Sequence, residues 1–209
     1  PGFFHEFGHL VHFLFQGRSA VNGSVEWDFI EAPSQLLEMW AGDPAVLRSF
    51  ARHYETGEPI PEEMIAAYRR SEGFGRAFIG WAFGLPPAIL SLELHEAPPE
   101  EDPTAAVEAR AAAVSPFKLP DGFSVSFPHL ALYSSTYYTY LWSAVIACDL
   151  LTGFDRDDLL DPNVGRRYRD TVLAPAGTAP AAVLVERFLG RTFNADAWRA
   201  WLEGEEGGR

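Results

Sequence analysis

Apolar residues recur every three to four positions over most of this chain, the spacing of a helix with one buried face. In VEWDFIEAPSQLLEMW (25–40), Glu31, Ser34, Gln35 and Glu38 share one helical face, while Phe29, Leu36, Leu37 and Trp40 supply apolar area. Pro33 has no N–H to give, which a helix tolerates only near its start, so Glu31 is expected in or just before a first turn. Asp43 and Pro44 form an N-cap and first-turn pair for a helix to about Tyr54. A turn around Thr56 to Pro59 ends it, and Pro61 starts another helix through Arg70. Residues 72–95 keep helical spacing but are interrupted at Gly84-Leu85-Pro86-Pro87, which predicts two helices or a sharp kink. Residues 97–103 read as a loop and 104–114 as a short helix of high propensity. An irregular connection with at most a short strand is expected over 115–128, then helices near 137–152, 162–173, 178–189 and 194–203, and a frayed tail. Strand patterns are nearly absent, so the expected fold class is all-α.

Composition narrows the setting. At 209 residues the chain can bury a full core, and 47% hydrophobic and 14% aromatic residues indicate a packed domain. A formal charge of -13 argues against a nucleic-acid partner, because phosphate binding needs a basic face. The single cysteine, Cys148, lies in an apolar run and has no partner for an internal disulfide, which fits a reducing cytoplasm. No apolar run reaches the roughly 18 residues of a membrane span. The expectation is a cytoplasmic monomer without a membrane or nucleic-acid partner.

The chemistry is concentrated in the first forty residues. In HEFGH, His5 and His9 stand one helical turn apart on the same face with Glu6 beside them, so two imidazoles can meet one ion next to a general base. Catalytic zinc takes three protein ligands and leaves a position open, so a third is needed, and Glu31 is the candidate. His12 lies on roughly the same face and is assigned to packing or support, because a fourth protein ligand would close the open position. Gln35 and Glu38 are candidates to hold a ligand histidine by its other nitrogen. His53 and His95 have no nearby motif and read as ordinary surface or core histidines.

HEFGHLVH followed by VEWDFIEAPSQLLEMW resembles the thimet oligopeptidase and oligopeptidase F family of zinc metallopeptidases. RHYETGEPIPEEM, HLALYSSTYYTYLWS, DPNVGRRYR and FLGR extend the resemblance in order along nearly the whole chain. It implies one Zn2+ held by His5, His9 and Glu31, with Glu6 as the base. It also implies that a histidine and two tyrosines line the site, which matching from the TYYTYLWS end places at His129, Tyr133 and Tyr140. Catalytic regions of that family begin far upstream, so this chain is expected to be the C-terminal part of a longer catalytic domain that pairs with its own N-terminal half. Family members have glycines between the histidine and the first tyrosine. Here Ala131 and Leu132 stand there and the loop is one residue shorter, which predicts a stiffer loop.

The expected function is hydrolysis of short peptides by a water that Glu6 deprotonates beside zinc, with tyrosine stabilising the developing oxyanion. The competing expectation is a non-catalytic helical module that keeps the ion as a structural site. The presence of Glu6 speaks against it.

Overall fold

The computed structural model describes residues 1–16, 24–79, 84–96, 102–114 and 126–203. Helix α1 spans Gly2–Gln16. A 3-10 turn at Trp27–Phe29 leads into α2, Ala32–Glu38, and a second 3-10 turn, Met39–Gly42. Then follow α3 (Pro44–Phe50), α4 (Glu62–Ile79), α5 (Leu85–Glu96) and α6 (Pro103–Val114). The short α7, His129–Leu132, runs into a 3-10 turn at Ser134–Tyr138 and then α8, Thr139–Leu151. Helices α9 (Pro162–Tyr168), α10 (Ala181–Leu189) and α11 (Asp196–Glu203) complete the chain. Among the described residues there is no strand, only isolated bridges pairing Arg52 with Pro59 and Ala176 with Ala179. The fold is all-α, as the periodicity predicts.

Local chemistry explains most boundaries. Asp43 accepts the Val46 N–H at 2.9 Å, and Asp161 accepts the Asn163 N–H at 2.8 Å, each followed by a proline that needs no partner for its missing N–H. Gly190 closes α10 in the left-handed conformation, φ 70°. Helix α3 stops at Phe50, four residues before the expected end at Tyr54. Ala51 turns extended there, and a hairpin-like loop forms in which the Ile60 N–H reaches the Ala51 carbonyl and Gly57 adopts φ 71°. The helix expected to end at Arg70 runs on to Ile79, and a separate helix begins at Leu85 with Pro86 and Pro87 in its first turn. The stretch expected as one helix over 162–173 is α-helical to Tyr168 and then widens into a π turn at Arg169–Leu173, closed by the Ala174 N–H on the Arg169 carbonyl. Most of the connection expected over 115–128, the loop over 97–101 and the tail lie outside the described residues.

Two apolar clusters organise the helices. The larger joins Phe29, Leu36 and Trp40 to Ile146, Leu150, Phe154, Val172, Val185 and Phe188. The smaller joins Leu90, Val107, Ala111 and Phe127, with Tyr137 packed against it. Each fully buried Leu, Val or Phe contributes about 1.5–3 kcal/mol, so α2 and α8 are held rigidly on the larger cluster. Among the described residues no helix is long and apolar enough to cross a membrane.

Candidate active site

Helix α1 lies along α2 at a separation that only glycine allows. A Cβ added to Gly8 would stand 2.5 Å from the Ser34 Cα, so any side chain at this position would push the two helices apart. Pro33 and Ser34, in the first turn of α2, are buried at this crossing. Glu31 is the residue that caps α2, as Pro33 predicts, and it is only 4% exposed. The Ser34 hydroxyl donates to the Glu31 carbonyl at 2.8 Å and lies 3.4 Å from its Oε2.

The crossing brings the three expected ligands together. His5 Nε2 and His9 Nε2 are 3.1 Å apart, and Glu31 Oε2 lies 3.3 Å from the first and 3.1 Å from the second. Ligands of a tetrahedral zinc with bonds near 2.1 Å are separated by about 3.4 Å, so the triangle has the dimensions of one face of such a site. The other face of His5 decides its tautomer. Its Nδ1 lies 2.5 Å from Glu38 Oε1, so the ring carries hydrogen on Nδ1 and aims a lone pair from Nε2 at the carboxylate of Glu31. His9 can donate from Nε2 to Glu31 here, and with that hydrogen given up the three atoms form a donor set of two imidazoles and a carboxylate that would suit zinc. The hydrogen bond to Glu31 raises the pKa of His9 against the opposing effect of burial.

Glu6 is exposed on α1, one position from His5, and its charge acts on His9. His12 is buried and takes a packing role, edge-on to Phe29 with ring centroids 6.3 Å apart. Its Nε2 has no hydrogen-bond partner, and burial lowers its pKa to about 4. Of the two candidates to support a ligand, Glu38 does hold His5. Gln35 instead donates from Nε2 to the Tyr140 carbonyl at 2.9 Å, tying α2 to α8. His53 accepts the Glu55 and Thr56 N–H groups in an exposed turn, and His95 donates to the Ser91 carbonyl within α5.

The tyrosines form a second group beside the first. Tyr133 and Tyr140 have ring centroids 5.9 Å apart, and His129 stands 5.3 Å from Tyr133 and 6.1 Å from Tyr140. Tyr137 closes the group at 5.2 Å from Tyr140. The pKa of Tyr140 is raised, first by burial and then by its interaction with Tyr133, and the charge of Glu31 adds to the shift. The segment that leads into Glu31 is pinned to the same helix: Thr139 donates to the Trp27 carbonyl at 2.8 Å and Ser143 to the Asp28 carbonyl at 3.0 Å. These two hydroxyls and Gly8 support the placement of Glu31 beside the two histidines, and the sequence pattern does not single them out. The glycine inside HEFGH is the one that carried a usable signal, since a helix-interior glycine implies close approach.

The sequence profile of Peptidase family M3 matches residues 2–203. The chain belongs to this family. Among its curated M3 relatives are oligopeptidase A of Escherichia coli (strain K12), 32% identical over 93% of this chain and 30% of that protein, and saccharolysin of Saccharomyces cerevisiae, 34% identical over 94% and 29%. The organellar oligopeptidase A of Arabidopsis thaliana is 38% identical over 90% of this chain and 26% of its own length. The chain therefore spans less than a third of these M3 relatives.

Proposed function

We propose that this chain carries the catalytic centre of a zinc-dependent oligopeptidase, with His5, His9 and Glu31 holding one Zn2+ and Glu6 as general base. The observation that supports this most is the convergence of the three donor atoms within 3.3 Å of one another, with Glu38 fixing the tautomer of His5. When bound, the ion supplies Lewis acidity, polarising the scissile carbonyl and lowering the pKa of water toward about 7. Glu6 takes a proton from the attacking water and delivers it to the nitrogen of the departing amine. Tyr140 donates its phenolic hydrogen to the carbonyl oxygen as negative charge develops there. Its raised pKa keeps that hydrogen in place through the neutral range. Tyr133 and His129 pack behind it and limit its motion.

Short peptides as substrates follow from the relatives, which are named oligopeptidases. The outer face of α1 presents Phe3, Phe13 and Leu14, 78%, 67% and 63% exposed, and we assign this face to the remainder of the parent chain. Phe4 turns inward instead and packs on the larger cluster. The buried thiol at position 148 suits a reducing, cytoplasmic setting.

The test is cleavage of a quenched peptide of about ten residues by the full-length parent protein, before and after removal of metal by a chelator and again after addition of Zn2+. Activity lost with the metal and regained with zinc supports the reading, and cleavage that persists in the metal-free protein contradicts it.

A further inference from the structure

Ser134 adopts a backbone conformation that its residue type avoids. Its φ is 52°, and it is the one residue other than glycine with positive φ among the described residues. Serine pays a steric cost there that glycine does not, and such a residue persists only where its surroundings impose the conformation. Its side chain is exposed, so side-chain burial does not impose it.

What does impose it comes from another helix. Ser91, in the middle of α5 and fully buried, donates its hydroxyl to the Ser134 carbonyl at 2.7 Å. A serine inside a helix ordinarily returns its hydroxyl to its own helix or to water. Here it is spent across the fold, on the carbonyl of the left-handed residue itself. That turn sits directly after Tyr133 and opens the 3-10 segment Ser134–Tyr138, which feeds α8 with Tyr140 as its second residue. Thr136 reinforces it by donating its hydroxyl and its N–H to the Tyr133 carbonyl. The mutual placement of Tyr133 and Tyr140 therefore depends on how the chain turns at residue 134.

We propose that Ser91 is a positioning residue for Tyr140 and for Tyr133 packed against it, acting through the left-handed turn at Ser134. This rests on the reading of Tyr140 as a hydrogen-bond donor to the substrate. The loop between His129 and Tyr133 has no glycine, and the buried hydroxyl of Ser91 holds the left-handed residue that follows it.

The experiment uses the zinc-loaded full-length parent protein and compares Ser91→Ala, Ser134→Val, Ser134→Gly and the double variant Ser91→Ala/Ser134→Gly, with Tyr140→Phe as control. Zinc content, thermal unfolding, kcat and KM are measured for each. Ser134→Val changes only an exposed side chain but disfavours positive φ, so it tests the turn even if Ser91→Ala folds poorly. Ser91→Ala and Ser134→Val are expected to lower kcat about tenfold with KM within about twofold, because a misplaced catalytic group loses rate and not ground-state binding. Ser134→Gly is expected to keep parental kcat and to restore most of it in the double variant. Parental kcat in both Ser91→Ala and Ser134→Val, alongside a large loss in Tyr140→Phe, overturns the positioning role alone. An equal loss in Ser91→Ala and the double variant overturns it as well, by showing that Ser91 acts otherwise than through the turn. Parental kcat in Tyr140→Phe removes the tyrosine's role, and the positioning proposal falls with it.

Discussion

Gly8 of α1 and Ser34 of α2 approach so closely that a methyl group on Gly8 would stand 2.5 Å from the Ser34 Cα. This contact sets the distance at which His5 and His9 meet Glu31. Gly8→Ala must separate the helices, and an ion site tolerates displacements of only about 0.5 Å. Zinc affinity is expected to fall by more than about tenfold, with helicity retained. Competition with a fluorescent chelator measures it, and parental affinity in this variant would show that the crossing does not govern the site.

Glu38 holds Nδ1 of His5 and so directs its Nε2 toward Glu31. Glu38→Ala is expected to weaken metal binding by about 10- to 100-fold, the usual effect of removing a group that orients a metal-binding histidine. Glu38→Gln, which can still accept the Nδ1 hydrogen, should fall between the two. Equal affinities in all three proteins would detach Glu38 from the metal centre.

Tyr140→Phe is expected to lower kcat by about 10²- to 10³-fold with little change in KM, as for the loss of one donor to a developing oxyanion. A change confined to KM would make Tyr140 a binding residue.

The parts of this arrangement that were legible beforehand are those written in local spacing. His5 and His9 stand one helical turn apart with Glu6 beside them, and Pro33 placed Glu31 at the head of α2. The helical fold followed from periodicity, although the ends of α3 and α4 shifted because the loop at 51–60 pairs with itself and nothing stops α4 at Arg70. The hydrogen bonds that join α2 and its leading turn to α8 were not legible. Gln35 to Tyr140, Thr139 to Trp27 and Ser143 to Asp28 each link residues more than 100 positions apart, a pairing that local spacing does not reveal. Ser134 was equally hidden, since positive φ is expected at glycine and the loop has none.

His12 gives a pH signature. Burial holds its pKa at about 4, below the value of about 6.5 for an unfolded chain. Between those values the unfolded chain binds the proton more readily, so stability rises with pH: the contribution is complete above about pH 6.5 and is lost as pH falls toward 4. It amounts to roughly 3 kcal/mol at most. His12→Leu should therefore lose less stability than the parent between pH 7.5 and pH 5 (roughly the span over which the histidine of the unfolded chain takes up its proton), as measured by denaturant unfolding. Identical pH dependence in both proteins would show that His12 is not buried as a neutral ring.

The most direct test is Glu6→Gln in the full-length protein, with zinc content and peptide cleavage measured on the same sample. The amide keeps the shape of the side chain but cannot take a proton from water, and Glu6 stands outside the three-atom cluster that would hold the ion. The account predicts one zinc per chain and a kcat lowered by about 10³-fold or more. Near-parental cleavage at the same zinc content would contradict it.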